Sequence, residues 1–141
     1  MDEKFRKAAQ VYGAGCTCSQ AVFCAFAEDL GLDEQTALKL IEGFGGGFGG
    51  KQEVCGAFCA ATAVISYYYS TGKVGDVQNR PKLYAAIQRA AELFEREYGS
   101  IRCIKILHGE KPKPRRCGMK VKDAVFIAER FITERNGGAE K

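Results

Sequence analysis

Apolar residues at helical spacing constrain the fold of this chain more than any other feature. Near the N-terminus they recur at intervals of three and four residues, at Phe5, Ala8, Ala9 and Tyr12. The same spacing returns along most of the chain, whereas no segment shows the strict alternation of a half-buried β-strand. The sequence therefore predicts an all-α bundle of about five or six helices. Residues 1–141 should form a single domain with one glycine-rich loop and a disordered tail at 137–141.

Capping signals divide this pattern into individual helices. Thr17 with Gln20 three residues later is a capping-box sequence, so a helix should start there and run to about residue 30. Asp33 is suited to cap the next helix. Further helices are predicted at 54–70, from Pro81 to Tyr98, at 101–108 behind a Ser100 cap, and directly after Cys117.

Residues 45–50 contain five glycines and follow a predicted helix. Phosphate-binding glycine loops instead follow a β-strand, and Gln52 stands where such a loop needs a Ser or Thr. We therefore do not expect nucleotide binding. Glycine lets backbone segments approach closely, so the loop is expected to form a wall beside the cysteines. The residues of this wall are Gly45, Gly46, Gly47, Gly49 and Gly50.

Seven cysteines carry most of the chemistry: Cys16, Cys18, Cys24, Cys55, Cys59, Cys103 and Cys117. The first residues lack an apolar signal core, so we expect a cytoplasmic protein without structural disulfides. Cysteines in this number then indicate metal binding, redox chemistry or both. Cys24 lies within an apolar run and is expected to be a small core residue.

Four of the cysteines are predicted at helix N-termini: Cys18, Cys55, Cys103 and Cys117. The helix dipole favours negative charge there, so a thiolate at such a position should have a lowered pKa and raised reactivity. Cys117 also has Arg115, Arg116 and Lys120 as near neighbours in sequence. Since a thiolate is both the redox nucleophile and the metal ligand, these positions do not choose between the two roles.

The remaining candidates are secondary. Cys59 is one helical turn from Cys55 and could face a shared site, although this spacing is unfavourable for a mutual disulfide. Cys16 could form only a small, strained and labile ring with Cys18. His108 is the sole histidine, and its place at a helix end is more typical of a contact with terminal carbonyls than of a catalytic base.

Four blocks of the sequence occur in the order seen in a known family. They read CSQAVFCAFAEDLGLDEQTALKLIEGFGGGFGG, VCGAFCA, YGSIRCIKILHG and RRCGMKVKDAV. Over nearly the whole chain they resemble the C_GCAxxG_C_C family of putative redox-active proteins. The resemblance places the four-cysteine pattern of that family on Cys18, Cys55, Cys103 and Cys117. Ala60 departs from it, because the family usually has glycine there.

The resemblance implies a small helical protein with a redox role and no defined substrate. A related domain in split-Soret cytochromes is associated with an iron–sulfur cluster. An iron–sulfur cluster or another metal on the same four cysteines is therefore the alternative. The chain lacks C-x-x-C-H, so haem attachment is not expected.

These observations predict a redox-active thiol protein, with an enzymatic thiol oxidoreductase left open. Cys55 is the expected central thiol, with Cys18, Cys103 or Cys117 as resolving partner. The four sulfurs should converge near the glycine loop, with Cys24 apart. A structural bundle that binds a partner is the third interpretation.

Partners are predicted from the same chemistry. We expect a redox partner protein or a small thiol or disulfide, with a homodimer as an option. The basic stretch at 111–116 has no interleaved aromatics and no nucleic-acid motif, so no nucleic acid is expected. The apolar run at 54–71 is too short and too polar for a membrane span.

Overall fold

The computed structural model describes residues 2–110 and 114–140, and within them every regular element is helical. Apart from a 3₁₀ turn at Glu42–Phe44 and a four-residue turn at Gly45–Phe48, the helices are α1 (Asp2–Gly13), α2 (Cys18–Ala25), α3 (Glu34–Ile41), α4 (Gly56–Tyr69), α5 (Arg80–Tyr98), the single turn α6 (Cys103–Ile106) and α7 (Pro114–Glu140). Six of these seven helices span eight residues or more. The predicted all-α bundle of five or six helices is confirmed.

Helix α4 forms the centre of the bundle. Its sequence, GAFCAATAVISYYY, is apolar on nearly every side, and such a helix must be covered all round. Helices α2, α5 and α7 pack against it. Its buried residues are Gly56, Ala57, Phe58, Ala60, Ala61, Val64 and Ile65. Phe94 of α5 closes the core beside Phe58, with ring centroids 5.2 Å apart.

Local capping signals set several helix ends as the sequence predicts. The Thr17 hydroxyl accepts a hydrogen bond from the Gln20 amide at 3.1 Å, and the Thr17 amide donates to the Gln20 side chain at 2.9 Å. Asp33 accepts from the Thr36 amide at the start of α3. Pro81 lies in the first turn of α5, and Gly99 ends that helix at a φ of 80°.

Two helices differ from their predicted ends. Helix α2 stops at Ala25, before the expected residue 30, because the Phe26 amide turns back to the carbonyls of Phe23 and Cys24. Helix α7 starts at Pro114, so Cys117 lies within its first turn and not before it. The same helix extends to Glu140, through Asn136, Gly137 and Gly138, over the segment at which the sequence predicts a tail.

The segment before α6 also differs. Ser100 caps a turn, accepting from the Arg102 amide at 2.9 Å, and α6 begins only at Cys103. Cys103 is therefore the first helical residue and not the third. The predicted basic loop falls partly outside the described residues, at 111–113, and its remainder from Pro114 belongs to α7.

The glycine loop (residues 45–50) folds back on the chain that follows it. A 3₁₀ turn at Glu42–Phe44 leads into it. The Glu53 amide bonds to the Gly47 carbonyl at 3.0 Å. Gly47 has a φ of +75°, and a Cβ there would lie 2.7 Å from the Glu53 nitrogen. Only glycine fits this position, so the loop is held closely against residues 52 and 53.

None of the described helices combines the length and the apolar character needed to cross a bilayer.

Candidate functional site

An isolated antiparallel bridge brings two of the predicted cysteines together. Val54 pairs with Arg102, the Cys55 amide donates to the Ile101 carbonyl at 2.7 Å, and the Cys103 amide donates to the Glu53 carbonyl at 2.6 Å. Because successive side chains in extended pairing point to opposite faces, Cys55 and Cys103 lie on the face opposite Val54 and Arg102. The start of α4 and the start of α6 are thereby fixed side by side.

Cys18 meets the same region from the start of α2. A Cβ at Gly56 would lie 3.0 Å from the Cys18 sulfur and 2.5 Å from the Phe44 carbonyl oxygen. The Gly46 amide also faces the Cys18 sulfur and favours its charged form. A side chain at position 56 would separate α4 from Cys18, so glycine allows the close approach.

The glycine loop forms only part of the wall that the sequence predicts beside the cysteines. Gly45 packs on Thr17, where an added Cβ would lie 2.7 Å from the Thr17 Cβ. Gly46 faces Cys18 as described. Gly49 and Gly50 are exposed and have no atom closer than 3.9 Å to an added Cβ. The first half of the loop therefore lies against the cysteines and the second half faces solvent.

Cys117 approaches from the first turn of α7 and meets Tyr12 of α1. Burial raises the pKa of the Tyr12 phenol, and the charge of Cys117 and hydrogen bonding to its thiol act in the same direction. The charge of Cys18 also raises the pKa of the Tyr12 phenol. The phenol is therefore a polar group in contact with the site that the cysteine pattern alone did not indicate.

Lys120 is a second polar group at the site that the cysteine pattern alone did not indicate. It lies one helical turn after Cys117, yet its side chain and backbone together are only 2% exposed. Its positive charge acts on the thiols of Cys18, Cys55 and Cys103. Among the described residues, no carboxylate forms an ion pair with it. The sequence marks Lys120 only as a cation near Cys117, because its burial depends on the packing of α7.

The four predicted cysteines thus form one group, which we call the thiol cluster: Cys18, Cys55, Cys103 and Cys117. The charge of Cys18 raises the pKa of both Cys55 and Cys103, and the charge of Cys117 raises that of Cys18. Burial raises the pKa of Cys59, which the sequence marks as secondary, to about 11, and the charge of Cys18 acts in the same direction. Cys18 therefore interacts electrostatically with each of the other three thiols.

Burial dominates the ionisation of the thiol cluster. It raises the pKa of Cys18, of Cys55 to about 12, and of Cys103. The predicted lowering of these three pKa values at helix starts is therefore wrong. At Cys55 the amides of Phe58 and Ala57 act in the opposite direction, but no capping hydrogen bond of normal geometry forms. The helix-start effect is present and is outweighed by desolvation.

Access to the thiol cluster is unequal. Cys55, Cys103 and Cys117 are 3%, 5% and 5% exposed, whereas Cys18 is half-buried. A reagent from solvent therefore meets Cys18 first.

Two other cysteines form a separate group. Cys24 is buried, as the sequence predicts, and burial raises its pKa to about 11, followed by the charge of Glu34. Lys7 and Cys16 are its other charged neighbours. Cys16 is half-buried like Cys18 but faces Cys24.

His108 lies in an exposed turn after α6, where its amide donates to the Lys105 carbonyl at 3.3 Å.

The thiol cluster does not present a metal site. Across residues 2–110 and 114–140, no group of three or more Cys, His, Asp or Glu side chains is arranged to hold a metal ion. A tetrahedral four-thiolate site or an iron–sulfur cluster needs such a group. All seven cysteines are free thiols. In the part of the chain that the structure describes, the side chains therefore show no preformed metal site.

A helical bundle that encloses four cysteines beside a buried lysine defines a small protein built around a thiol cluster. Residues 16–131 match the family described as "Putative redox-active protein (C_GCAxxG_C_C)". The chain belongs to this family, and the resemblance seen in the sequence is confirmed. No curated protein and no solved structure matches the chain.

Proposed function

We propose that the protein carries out thiol–disulfide exchange, with Cys18 as the attacking thiol and Cys117 as the resolving thiol. The observation that carries this proposal is the position of Cys18. It faces the other members of the thiol cluster and is the only one of the four that is not fully buried. The family description supports a redox role.

Cys18 is favoured over Cys55, the central thiol expected from the sequence. Cys55 is 3% exposed and has a pKa of about 12 because of burial. A thiol that neither ionises near neutral pH nor meets solvent reacts slowly. Burial raises the pKa of Cys18 as well, with the Gly46 amide and the charge of Lys120 acting against it, so its exposure is what distinguishes it from Cys55.

Cys117 is chosen as the resolving thiol because its charge is one of the causes that raise the pKa of Cys18. Tyr12 interacts with both thiols, which places the two on the same side of α1. Cys117 is also buried, so an external disulfide would react with it only after Cys18 had reacted.

The exchange consumes a small external disulfide. The Cys18 thiolate attacks one of its sulfurs, the external S–S bond breaks, and the departing thiolate takes up the proton that Cys18 released. Cys117 then loses its proton and attacks the Cys18 sulfur, which releases the second external thiol. Two protein thiols are oxidised to one disulfide, and one external disulfide is reduced to two thiols. Excess small thiol reverses both steps.

A thiol count in glutathione buffers tests the proposal, with Cys16→Ser as the matched control. Cys16 and Cys18 are both half-buried and both flank Thr17. Wild type and Cys16→Ser should each lose two thiols reversibly in oxidised glutathione, and Cys18→Ser should lose neither. Loss of two thiols from Cys18→Ser at the wild-type rate would reject Cys18 as the attacking group.

Metal analysis separates this proposal from the metal alternative. Protein purified anaerobically should carry no stoichiometric iron or zinc. Stoichiometric metal that is lost in Cys18→Ser and kept in Cys16→Ser would contradict the exchange mechanism and favour ligation by the same cysteines.

A further inference from the structure

We infer that a groove between α1 and α7 is the substrate site of the thiol cluster, and that it takes a disulfide carried on an apolar chain that ends in a carboxylate. This inference rests on the proposed function of Cys18 and Cys117 and names the class of disulfide that they reduce.

The shape and lining of this groove, called the α1–α7 groove, are the first observation. One wall is formed by Phe5, Ala9 and Tyr12 of α1, and the other by Gly118 and Val121 of α7. Apart from the Tyr12 hydroxyl, these side chains are apolar. The volume is about 460 Å³, within the range of roughly 300–1,000 Å³ typical of small-molecule sites. The groove therefore suits the apolar body of a small ligand.

The charge at the groove is the second observation. Arg6 and Lys122 line it, both are exposed, and no described carboxylate lines it. Neither cation forms an ion pair with a described carboxylate. In the cavity beside α3, by contrast, both lysines are paired with carboxylates. The α1–α7 groove is therefore complementary to an anion.

The two ends of the groove differ, and this difference orients the ligand. The Lys122 ammonium lies 5.8 Å from the centre of the Phe5 ring, so the cations mark the Phe5 end. At the other end, a Cβ on Gly118 would lie 4.0 Å from the Tyr12 ring, and Gly118 directly follows Cys117 in the chain. Seven residues of α1 separate Phe5 from Tyr12, which is about 10 Å along the helix.

This arrangement defines the ligand by its chemistry. A carboxylate at the Phe5 end and an apolar chain along the walls bring the other end of the molecule to the thiol cluster, where a disulfide can react. The Cys18 thiolate attacks one ligand sulfur, the ligand S–S bond breaks, and the departing thiolate takes up the proton that Cys18 released. Cys117 then displaces the second ligand sulfur. Two protein thiols become a disulfide, and the ligand leaves as a dithiol.

Binding is tested without any thiol reaction, by titrating octanoate into the reduced chain and following backbone amide signals by NMR. Signals of residues 5–13 and 118–122 should shift. Lys122→Gln should weaken binding about two- to fivefold, as expected for one exposed ion pair. Lys82→Gln is the matched control, because Lys82 is an exposed lysine on α5. Ala9→Phe changes an exposed position, fills the groove without removing a charge, and should abolish the shifts.

The substrate role is tested with lipoate and its neutral amide lipoamide, which carry the same cyclic disulfide. Lipoate should oxidise Cys18 and Cys117 faster than lipoamide does at equal concentration. Lys122→Gln should narrow this difference, and Lys82→Gln should keep it. Equal rates for the two compounds in the wild-type chain would overturn the substrate role of the groove.

The binding result separates this inference from the proposed function. Octanoate shifts that are absent, lie elsewhere or persist in Ala9→Phe would overturn the inference, even if glutathione disulfide still links Cys18 to Cys117. Concentration-dependent shifts of the same amides without ligand would overturn it too, because a second copy of the chain would then cover the groove. If octanoate binds as expected but no oxidant links the two cysteines, the exchange mechanism is refuted and the carboxylate site stands.

Discussion

Gly56 is the residue at which α4, the glycine loop and Cys18 meet most closely, so Gly56→Ala is a direct perturbation of the site. An added Cβ would lie 2.5 Å from the Phe44 carbonyl oxygen, 3.0 Å from the Cys18 sulfur and 3.3 Å from the Gly45 Cα. Two of these three neighbours are backbone atoms, which cannot rotate away. The substitution therefore has to move α4 relative to the loop.

The magnitude follows from two opposing effects. Overpacking of this kind costs about 1–3 kcal/mol. Replacing glycine by alanine in a helix returns at most about 1 kcal/mol, and less at a first helical position such as Gly56. The net loss should be roughly 1–2 kcal/mol, which for a chain of this length lowers the melting temperature by roughly 3–6 °C.

Gly118→Ala is the matched control. Gly118 lies inside α7, where an added Cβ would meet only the Tyr12 ring, at 4.0 Å. The same substitution should therefore stabilise the protein there, by up to about 1 kcal/mol.

Thermal denaturation of both variants under reducing conditions is the assay, and alkylation of Cys18 is the second readout. Gly56→Ala should melt below wild type with an altered Cys18 rate, and Gly118→Ala should melt at or above wild type. If Gly56→Ala were as stable as Gly118→Ala, the close contact between α4 and Cys18 would be refuted.

Three further outcomes follow from the same structure. Thr17→Ala should cost about 1 kcal/mol in thermal unfolding because it removes the cap on the Gln20 amide, and Thr17→Ser should not. Phe94→Ala should cost about 3–5 kcal/mol in urea unfolding, since Phe94 is fully buried against Phe58; a loss under 1 kcal/mol would speak against this core. Between pH 9 and 12, stability should fall by up to about 1.4 kcal/mol per pH unit through Cys55, because its thiol ionises in the unfolded chain but has a folded pKa of about 12. Stability is complete below this window, and Cys55→Ala should show a shallower decline.

Much of the helical framework could be predicted because its signals are local. The Thr17 and Gln20 pair, the Asp33 cap and Pro81 each act within one turn of helix, so the sequence is sufficient to locate them. The apolar sequence of α4 likewise predicts a covered central helix. The early end of α2 escaped prediction because nothing in its sequence distinguishes a tight turn at Phe26 from another helical turn.

The site could be predicted only in part because its decisive contacts are long-range. Helix-start positions selected the four cysteines that make up the thiol cluster, yet the direction of their pKa shifts depends on burial by other helices. The bridge between Val54 and Arg102, which brings Cys55 and Cys103 together, has no sequence signature. The burial of Lys120 runs against the usual behaviour of lysine, so only the packed structure locates it inside the thiol cluster.

Disulfide mapping tests the central claim most directly. The protein is oxidised with glutathione disulfide, free thiols are blocked, and tryptic peptides are sequenced by fragment ions, since Cys16, Cys18 and Cys24 share one tryptic peptide. The account predicts a single reversible link between Cys18 and Cys117, with Cys16 and Cys24 blocked as free thiols. A link of Cys18 to any other cysteine would reject Cys117 as the resolving thiol, and no reversible link at all would contradict the redox account.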